Sequence, residues 1–263
     1  MLFAASLFCQ VLLATAIPTR EARLAARVTA RAERSRLSHP KELSAFKVPT
    51  NVSHAEFSTN WAGAVLESAA NTFKSVTGTF VVPVPSEPSG GGTSLHSASA
   101  WVGIDGDTCQ TAILQTGIDF TIANGRVSYD AWYEFFPDFA HDFTGISISA
   151  GDTVQLTVTA SSLTSGTAVI HNLSTGQTVS KAISSTAHLC QANAEWIVED
   201  FESGGSLVPL ADFGTVTFSN AHATTSSGTV GPAGAVIINM EQNGQVLTSA
   251  STSSSGVTVQ YIA

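Results

Sequence analysis

Short runs in which apolar and polar residues alternate recur along the chain from about residue 52 onward. In Thr153–Ala160, four apolar residues at even positions alternate with Thr and Gln at odd positions. A period of two is the pattern of a β-strand with one buried face. Similar runs lie at residues 61–66, 79–84, 97–104, 111–119, 128–136, 167–173, 196–201, 216–219, 235–240 and 257–262. Because turn sequences such as Ser-Gly-Gly-Gly and Asn-Gly separate such runs, we predict an all-β fold, an antiparallel β-sandwich with almost no helix.

The first residues have the composition of an export signal. Residues 2–16 form a mostly apolar run that ends in small residues, which predicts a signal peptide at residues 1–16. The run is too short to span a bilayer comfortably, so a membrane anchor is the weaker interpretation. We therefore expect a secreted, extracellular protein that does not associate with a membrane.

A basic segment separates this signal from an acidic body. Eight of the eleven Lys and Arg residues lie before residue 50, whereas seventeen of the twenty Asp and Glu residues lie after it. We predict a basic pro-segment, partly helical, at residues 17–52, and one β-sandwich domain at residues 53–263, where no linker or repeat occurs. The alternatives are a solvated tail or an arm that binds nucleic acid. A body so acidic would repel phosphates, so we expect no nucleic-acid partner.

Two cysteines, Cys109 and Cys190, remain after removal of the predicted signal peptide, which contains Cys9. In an oxidising compartment two such cysteines usually pair, so we predict a disulfide between them. Two thiols without a nearby pair of histidines make a poor zinc site, and the seven histidines show no metal-ligand spacing. We expect neither a metal ion nor another cofactor.

Strand parity collects acidic, amide and aromatic side chains on shared faces, because alternate residues of a strand point to opposite sides. One face of each of three predicted strands carries such a set: Trp101 and Asp105; Gln115 and Asp119; Asp130, Trp132 and Glu134. If these strands are neighbours, their faces form one acidic, aromatic-lined concave surface, which stability alone would not call for. That surface is the candidate site.

Five segments of the body carry long and specific motifs. They are N-W-A-G-A-V (60–65), A-W-V-G-I-D-G-D-T-C-Q-T-A-I-L-Q-T-G (100–117), Y-D-A-W-Y-E (129–134), N-L-S-T-G-Q (172–177) and N-A-E-W-I-V-E-D-F-E (193–202). These motifs span most of the body and resemble those of the glutamic peptidases, or eqolisins, which are secreted fungal acid endopeptidases. The resemblance implies two large antiparallel sheets in a sandwich of the concanavalin or jelly-roll kind, and synthesis with a basic pro-segment.

The resemblance also implies which residues carry the chemistry. Gln115 and Glu199 match the catalytic positions of the family. The residues that match or accompany its substrate-binding cleft are Trp61, Trp101, Asp105, Asp119, Asp130, Trp132 and Glu134. Two alternatives stay open. The tryptophans could be core residues, since tryptophan also dominates core packing, and the acids could be hydrogen-bonded scaffolding.

The activity that the resemblance implies is hydrolysis of peptide bonds by an activated water. Glu199 would take a proton from that water and return it to the leaving nitrogen, while Gln115 would hold the water and hydrogen-bond the oxyanion. Pepstatin should not inhibit, because the chain has no D-T-G or D-S-G of a pepsin-like site. We expect polypeptide substrates, a monomer, and the pro-segment as an intramolecular inhibitor. The alternative is a secreted concanavalin-like module that binds carbohydrate without catalysis, which the fold alone does not exclude.

Overall fold

The computed structural model describes residues 36–45, 55–92 and 95–263. The predicted signal peptide and most of the predicted pro-segment, including its expected helix, lie outside these ranges. Within them every regular element is a β-strand, and no helix is present that could cross a membrane. The described part of the chain is all-β, so the predicted fold class is confirmed.

The strands follow the alternating runs closely in the centre of the fold. In β9, for example, all four apolar side chains at even positions are buried. In chain order the described strands are β1 (Arg36–Leu37), β2 (Ala55–Ser58), β3 (Trp61–Glu67), β4 (Phe73–Val81), β5 (His96–Ile104), β6 (Ile113–Ala123), β7 (Arg126–Phe136), β8 (His141–Asp142), β9 (Thr153–Ala160), β10 (Ser165–Asn172), β11 (Gln177–Ser184), β12 (Asn193–Glu199), β13 (Glu202–Ser203), β14 (Thr215–Thr225), β15 (Gly228–Val230), β16 (Val236–Gln242), β17 (Gln245–Val246), β18 (Thr248–Thr252) and β19 (Val257–Tyr261).

Two large sheets contain most of these strands. The eight-stranded sheet has the order β11-β10-β9-β4-β14-β19-β18, and β15 extends it by pairing with β14. The nine-stranded sheet has the order β17-β16-β3-β12-β5-β6-β7-β8, and β2 pairs with β16 in parallel. All other pairings are antiparallel in the described residues, and β1 and β13 form a small sheet of their own. The central strands of the nine-stranded sheet carry the predicted catalytic residues.

The main hydrophobic core lies between the two sheets. Phe80 and Phe218 meet edge to face, with ring centroids 5.3 Å apart. Trp196 of β12 donates its Nε1 hydrogen to the carbonyl of Thr77 in β4 at 2.8 Å, so a hydrogen bond as well as packing joins the sheets. Full burial of each of these aromatic side chains stabilises the fold by about 2–3 kcal/mol.

A second, smaller hydrophobic cluster lies on the outer face of the nine-stranded sheet. Its buried members are Trp61, Val65, Trp101, Ile113, Trp132, Ile197 and Ile238. Trp196 and Ile197 are consecutive in β12 and belong to different clusters, as strand parity requires. The outer face is therefore the one to which parity assigns Gln115 and Glu199.

The predicted disulfide is present in the structure. It joins Cys109, in the loop after β5, to Cys190, shortly before β12. The bridge ties together the two strands that lie between β3 and β6 in the sheet. It therefore anchors the part of the sheet that carries Glu199 and Trp101.

Candidate active site

Glu199 is the last residue of β12, and its side chain is fully buried on the outer face of the sheet. Trp101 Nε1 donates a hydrogen bond to its Oε2 at 2.9 Å, and the backbone N–H of His39 donates to its Oε1 at 3.1 Å. Burial raises the pKa of Glu199 to about 7, although the charge of Arg36 and the hydrogen bonds lower it. In this state the carboxyl group exchanges its proton near neutral pH.

Gln115 lies on β6, two strands away from β12, opposite Gly103 of β5 and Glu134 of β7. Its side chain is fully buried, and within the described residues neither Oε1 nor Nε2 has a hydrogen-bond partner. No hydrogen bond joins it to Glu199 in that part of the chain. A carboxamide with an unused acceptor and unused donors can hold both a water molecule and a substrate oxygen.

Asp119 and Glu134 hold the guanidinium group of Arg36. Arg36 Nε lies 2.6 Å from Asp119 Oδ2, and one terminal nitrogen lies 3.3 Å from Glu134 Oε2. The other terminal nitrogen donates to Ser99 Oγ at 3.0 Å. Burial raises the pKa of Asp119 and raises that of Glu134 well above its usual range, whereas Arg36 lowers both. These two predicted acids lie together on the outer face, where they bind a cation from the same chain, and their contact with substrate stays a prediction.

Aromatic rings complete the pocket around this cation. The central carbon of the Arg36 guanidinium lies 3.7 Å from the ring centroid of Trp132 and 4.5 Å from that of Phe201. Trp132 Nε1 donates to Ser99 Oγ at 3.1 Å, which fixes the indole. A planar cation gains both stacking and charge-assisted hydrogen bonds in such a pocket.

Residues 36–45 cross the site as a mostly extended chain. β1 pairs with β13 as an additional antiparallel strand, and the carbonyl of His39 accepts a hydrogen bond from Trp61 Nε1 at 2.9 Å. Further along, Lys41 forms ion pairs with Asp107 and Glu56. Strand addition combined with side-chain pockets is a common way for a protein to bind a peptide.

The three predicted cleft tryptophans belong to the core and to the site at once. Trp61, Trp101 and Trp132 are fully buried in the outer cluster. Each also directs its indole N–H into the site, toward His39, Glu199 and Ser99 respectively. Both interpretations of these residues therefore describe part of what they do.

Two of the predicted acids occupy less direct positions. The carboxylate of Asp105 accepts hydrogen bonds at 2.7–3.1 Å from four consecutive backbone amides, those of residues 190–193. This contact pattern favours the scaffolding alternative for Asp105, and a contact with substrate stays a prediction. Asp130 lies opposite Asp119 and is exposed, at the rim of the surface.

Sequence reasoning missed Ser99 and Phe201, which contact Arg36, and the way His39 contacts Glu199. Ser99 has the same strand parity as Trp101 and could have been found from that signal. Phe201 follows β12 in an irregular stretch, where parity gives no information. In the described residues no group of three or more His, Cys, Asp and Glu side chains could hold a metal ion.

Gly117 lets Trp101 and Trp132 approach each other. A Cβ atom at Gly117 would lie 2.6 Å from Trp101 Cβ and 2.6 Å from Trp132 Cζ2. We expect Gly117→Ala to displace Trp101, and with it the N–H that holds Glu199, and so to lower kcat by about 10- to 100-fold. Steady-state hydrolysis of a peptide measures this effect.

The matched control for that variant is Gly256→Ala. Gly256 precedes β19 in the other sheet, and an added Cβ there would meet its nearest atoms at 3.0 and 3.3 Å. Circular dichroism should show that both variants are folded. A folded Gly117→Ala protein with the kcat of the control would contradict the role given to this close approach.

Comparison with known proteins gives a consistent result. The pattern of the peptidase A4 family matches residues 59–261. The chain is 49% identical to aspergillopepsin-2 of Aspergillus niger over an alignment that covers 95% of either chain. It is 45% identical to scytalidopepsin B of Scytalidium lignicola over 221 residues, which cover 81% of either chain.

Solved structures agree with these sequence matches. Scytalido-glutamic peptidase with a transition state analog inhibitor superposes with a TM-score of 0.70 at 45% identity, covering 78% of this chain and 98% of that one. Aspergilloglutamic peptidase from Aspergillus niger superposes with a TM-score of 0.62 at 58% identity, covering 64% of this chain and 99% of that one. The family match, residues 59–261, covers every described strand of the two large sheets except β2, and the site residues between 61 and 199.

Proposed function

The chain belongs to the peptidase A4 family and is a hydrolase of peptide bonds, and we propose that it is a secreted acid endopeptidase whose catalytic pair is Glu199 and Gln115. One observation carries the proposal. A fully buried carboxyl group and a fully buried carboxamide without partners occupy the same face of one sheet, next to an extended length of chain. A carboxyl group can act as both base and acid on a peptide, and a carboxamide can donate a hydrogen bond to the developing oxyanion.

The two side chains divide the work of hydrolysis. Ionised Glu199 takes a proton from a water molecule as that water attacks the carbonyl carbon of the scissile bond. Gln115 Nε2 donates to the oxygen on which negative charge develops, where a positioned donor is most effective. Glu199 then gives its proton to the leaving nitrogen, and the nitrogen departs as an amine. The N–H of Trp101 keeps the carboxyl group in one orientation throughout.

Relatives support a polypeptide as the substrate. One solved structure of scytalido-glutamic peptidase contains a transition state analog inhibitor, and another structure of the eqolisin family contains the tripeptide Ala-Ile-His. In the present chain the backbone of residues 36–45 follows the site in an extended conformation, as a peptide substrate would. Side-chain pockets flank that path, including the one formed by Asp119, Glu134 and Trp132.

We also infer that residues 36–45 are the inhibitory part of the predicted pro-segment. The segment occupies two places that a substrate would need: His39 N–H donates to Glu199 Oε1, and β1 pairs along the edge of β13. While it covers Glu199, burial keeps the pKa of this carboxyl at about 7, so at acid pH the group holds its proton and cannot act as a base. Departure of the segment would admit water, which favours the ionised carboxylate.

Arg36 should provide most of the affinity of this inhibitor. We expect that, in a synthetic peptide spanning residues 17–52, Arg36→Ala raises the inhibition constant against the processed enzyme by about 100-fold, because the change leaves Asp119 and Glu134 without their cation. Leu43→Ala is the matched control, since 69% of the surface of Leu43 is exposed. Equal inhibition constants for the Arg36→Ala and unchanged peptides would remove Arg36 from the mechanism of inhibition.

The activity itself can be tested with the processed protein. Acid-denatured protein should be degraded between about pH 2 and pH 5, and pepstatin should have no effect. The same preparation should be applied to a panel of glycans. A folded, processed protein that degrades nothing but binds a glycan would instead favour the carbohydrate-binding alternative.

A further inference from the structure

Glu195 is a second buried glutamate on β12, with the same strand parity as Glu199. Its side chain is fully buried, and within the described residues neither of its oxygens has a hydrogen-bond partner. A buried polar group without a partner costs about 1–3 kcal/mol, more when it is charged, and calls for an explanation. The catalytic scheme above gives Glu195 no role.

The register of the sheet relates Glu195 to Gln115. Glu195 lies opposite Gly103 of β5, and Gly103 lies opposite Gln115 of β6. The three residues thus form one row across the sheet, and the middle one has no side chain. Glu195 Oε1 lies 3.2 Å from the position that a Cβ atom at Gly103 would occupy. The carboxyl group therefore reaches from β12 over β5, in the direction of Gln115.

Gln115 likewise has buried polar atoms that need hydrogen-bond partners. Its Oε1 and Nε2 are also buried and without partners in the described part of the chain. No hydrogen bond joins the two side chains directly in the described residues, and Trp101 Cζ3 lies 2.7 Å from the Cβ position at Gly103, so one ordered water beside that ring is the link that can satisfy both groups. A carboxamide can turn over, and an adjacent donor fixes which of its ends faces the substrate.

Glu195 is a donor under the conditions in which the enzyme works. Burial raises its pKa well above the usual range, and the neighbouring carboxylates of Asp105 and Asp107 raise it further, whereas Lys41 lowers it. The carboxyl group therefore carries a proton at acid pH. Its O–H can donate to a water molecule, and that water can donate in turn to the amide oxygen of Gln115.

We propose that Glu195 is a positioning residue that is linked to Gln115 Oε1 through one ordered water, and so turns Gln115 Nε2 toward the scissile carbonyl. The proposal rests on the proposed catalytic role of Gln115. Glu195 itself does not contact substrate. It acts on the rate by keeping one of the two orientations of the carboxamide, which is the orientation that stabilises the oxyanion.

Three substitutions test this role with the processed enzyme. Glu195→Gln keeps the size and a hydrogen-bond donor, so kcat should stay within about threefold of wild type. Glu195→Leu keeps the bulk but removes the donor, and should lower kcat by about 10- to 100-fold with little change in KM. Glu195→Asp keeps the acid but shortens its reach, and should also lower kcat. If the Leu variant fails to fold, the difference in kcat between the Gln and Asp variants still tests the positioning role of Glu195.

Coupling to Gln115 separates positioning from a general loss of structure. In a Gln115→Ala background, Glu195→Leu should cause no further loss of kcat, because the group that it positions is absent. Glu241→Gln, which neutralises another buried glutamate in β16, should leave kcat unchanged in both backgrounds. Thermal unfolding of every variant records effects on the fold.

The outcomes distinguish this inference from the function on which it rests. If the Glu199→Gln variant is as active as wild type, the proposed function and this inference are both overturned. Activity that needs Glu199 but tolerates Glu195→Leu would overturn only the role of Glu195. The same conclusion would follow if Glu195→Leu lowered kcat equally with and without Gln115, or if Glu195→Asp were as active as Glu195→Gln.

Discussion

Replacing Glu199 by Gln should lower kcat for peptide hydrolysis by about ten-thousand-fold, the largest contribution usual for a general acid and base. The carboxamide of the variant can still accept the hydrogen bond from Trp101 Nε1, so the site keeps its shape. It can neither take a proton from water nor give one to the leaving nitrogen. KM should change by less than about threefold, because the lost interaction belongs to the transition state.

The experiment needs processing that does not depend on the enzyme's own activity. A recognition sequence for a specific protease, placed between residues 46 and 54 of both wild type and variant, allows the segment to be removed in the same way. Asp200→Asn is the matched control. Asp200 adjoins Glu199, accepts a hydrogen bond from Gln242 at 2.7 Å, and has a pKa raised by burial to about 8.

At acid pH Asp200 is therefore already neutral, and its replacement by an amide changes no charge. The control should keep the kcat of wild type, whereas Glu199→Gln should lose nearly all of it. If the kcat of Glu199→Gln lay within tenfold of that of the control, Glu199 would not be the general acid and base.

Much of the fold could be predicted from the sequence because strands such as β9, β10 and β14 bury one face. The alternation in β9 is a direct record of that burial. Sequence reasoning missed the two- and three-residue strands β1, β8, β13, β15 and β17, and of the longer strands β2, β11 and β18, which are short or lie at or near a sheet edge, where few side chains are buried. In β11 one face is exposed and the other is only partly buried, so burial imposes a weak period of two on its sequence.

The site was predictable in part for the same reason. Parity correctly grouped Asp130, Trp132 and Glu134 on the outer face of the sheet and Phe135 in the main core between the sheets. Strand parity does not determine the register in which neighbouring strands pair, however. The row that places Gly103 opposite Gln115 depends on pairing between strands, which no local pattern in the sequence encodes.

Contacts between distant parts of the chain could not be predicted from the sequence either. Arg36 and Asp119 are 83 residues apart, and the sequence indicated only that a basic segment and an acidic body would attract each other. Which arginine is buried depends on the aromatic pocket of Trp132 and Phe201. A pocket of this kind is a property of the folded sheet, so a charge pattern cannot locate it.

Replacing Gln115 by Glu should lower kcat by about a thousand-fold once the introduced carboxyl group is ionised. An ionised carboxylate at this position has no donor for the oxyanion, and its charge opposes the negative charge that develops there. The side chain of residue 115 is fully buried, so burial should raise the pKa of the introduced carboxyl above the usual value for glutamate. Below that pKa the protonated group can still donate a hydrogen bond.

The loss should therefore depend on pH with a definite sign. At the lowest pH the introduced carboxyl is protonated and the loss is smallest; as pH rises through its pKa, the donor disappears and the variant falls further behind wild type. Gln115→Ala is the control, since it lacks the donor but introduces no charge, and its loss of about 100-fold should be the same at every pH. The ratio of kcat/KM between wild type and each variant, from about pH 2.5 to pH 6, measures both effects. A constant ratio for Gln115→Glu would mean that residue 115 lies away from the developing charge, and the oxyanion would then need another donor.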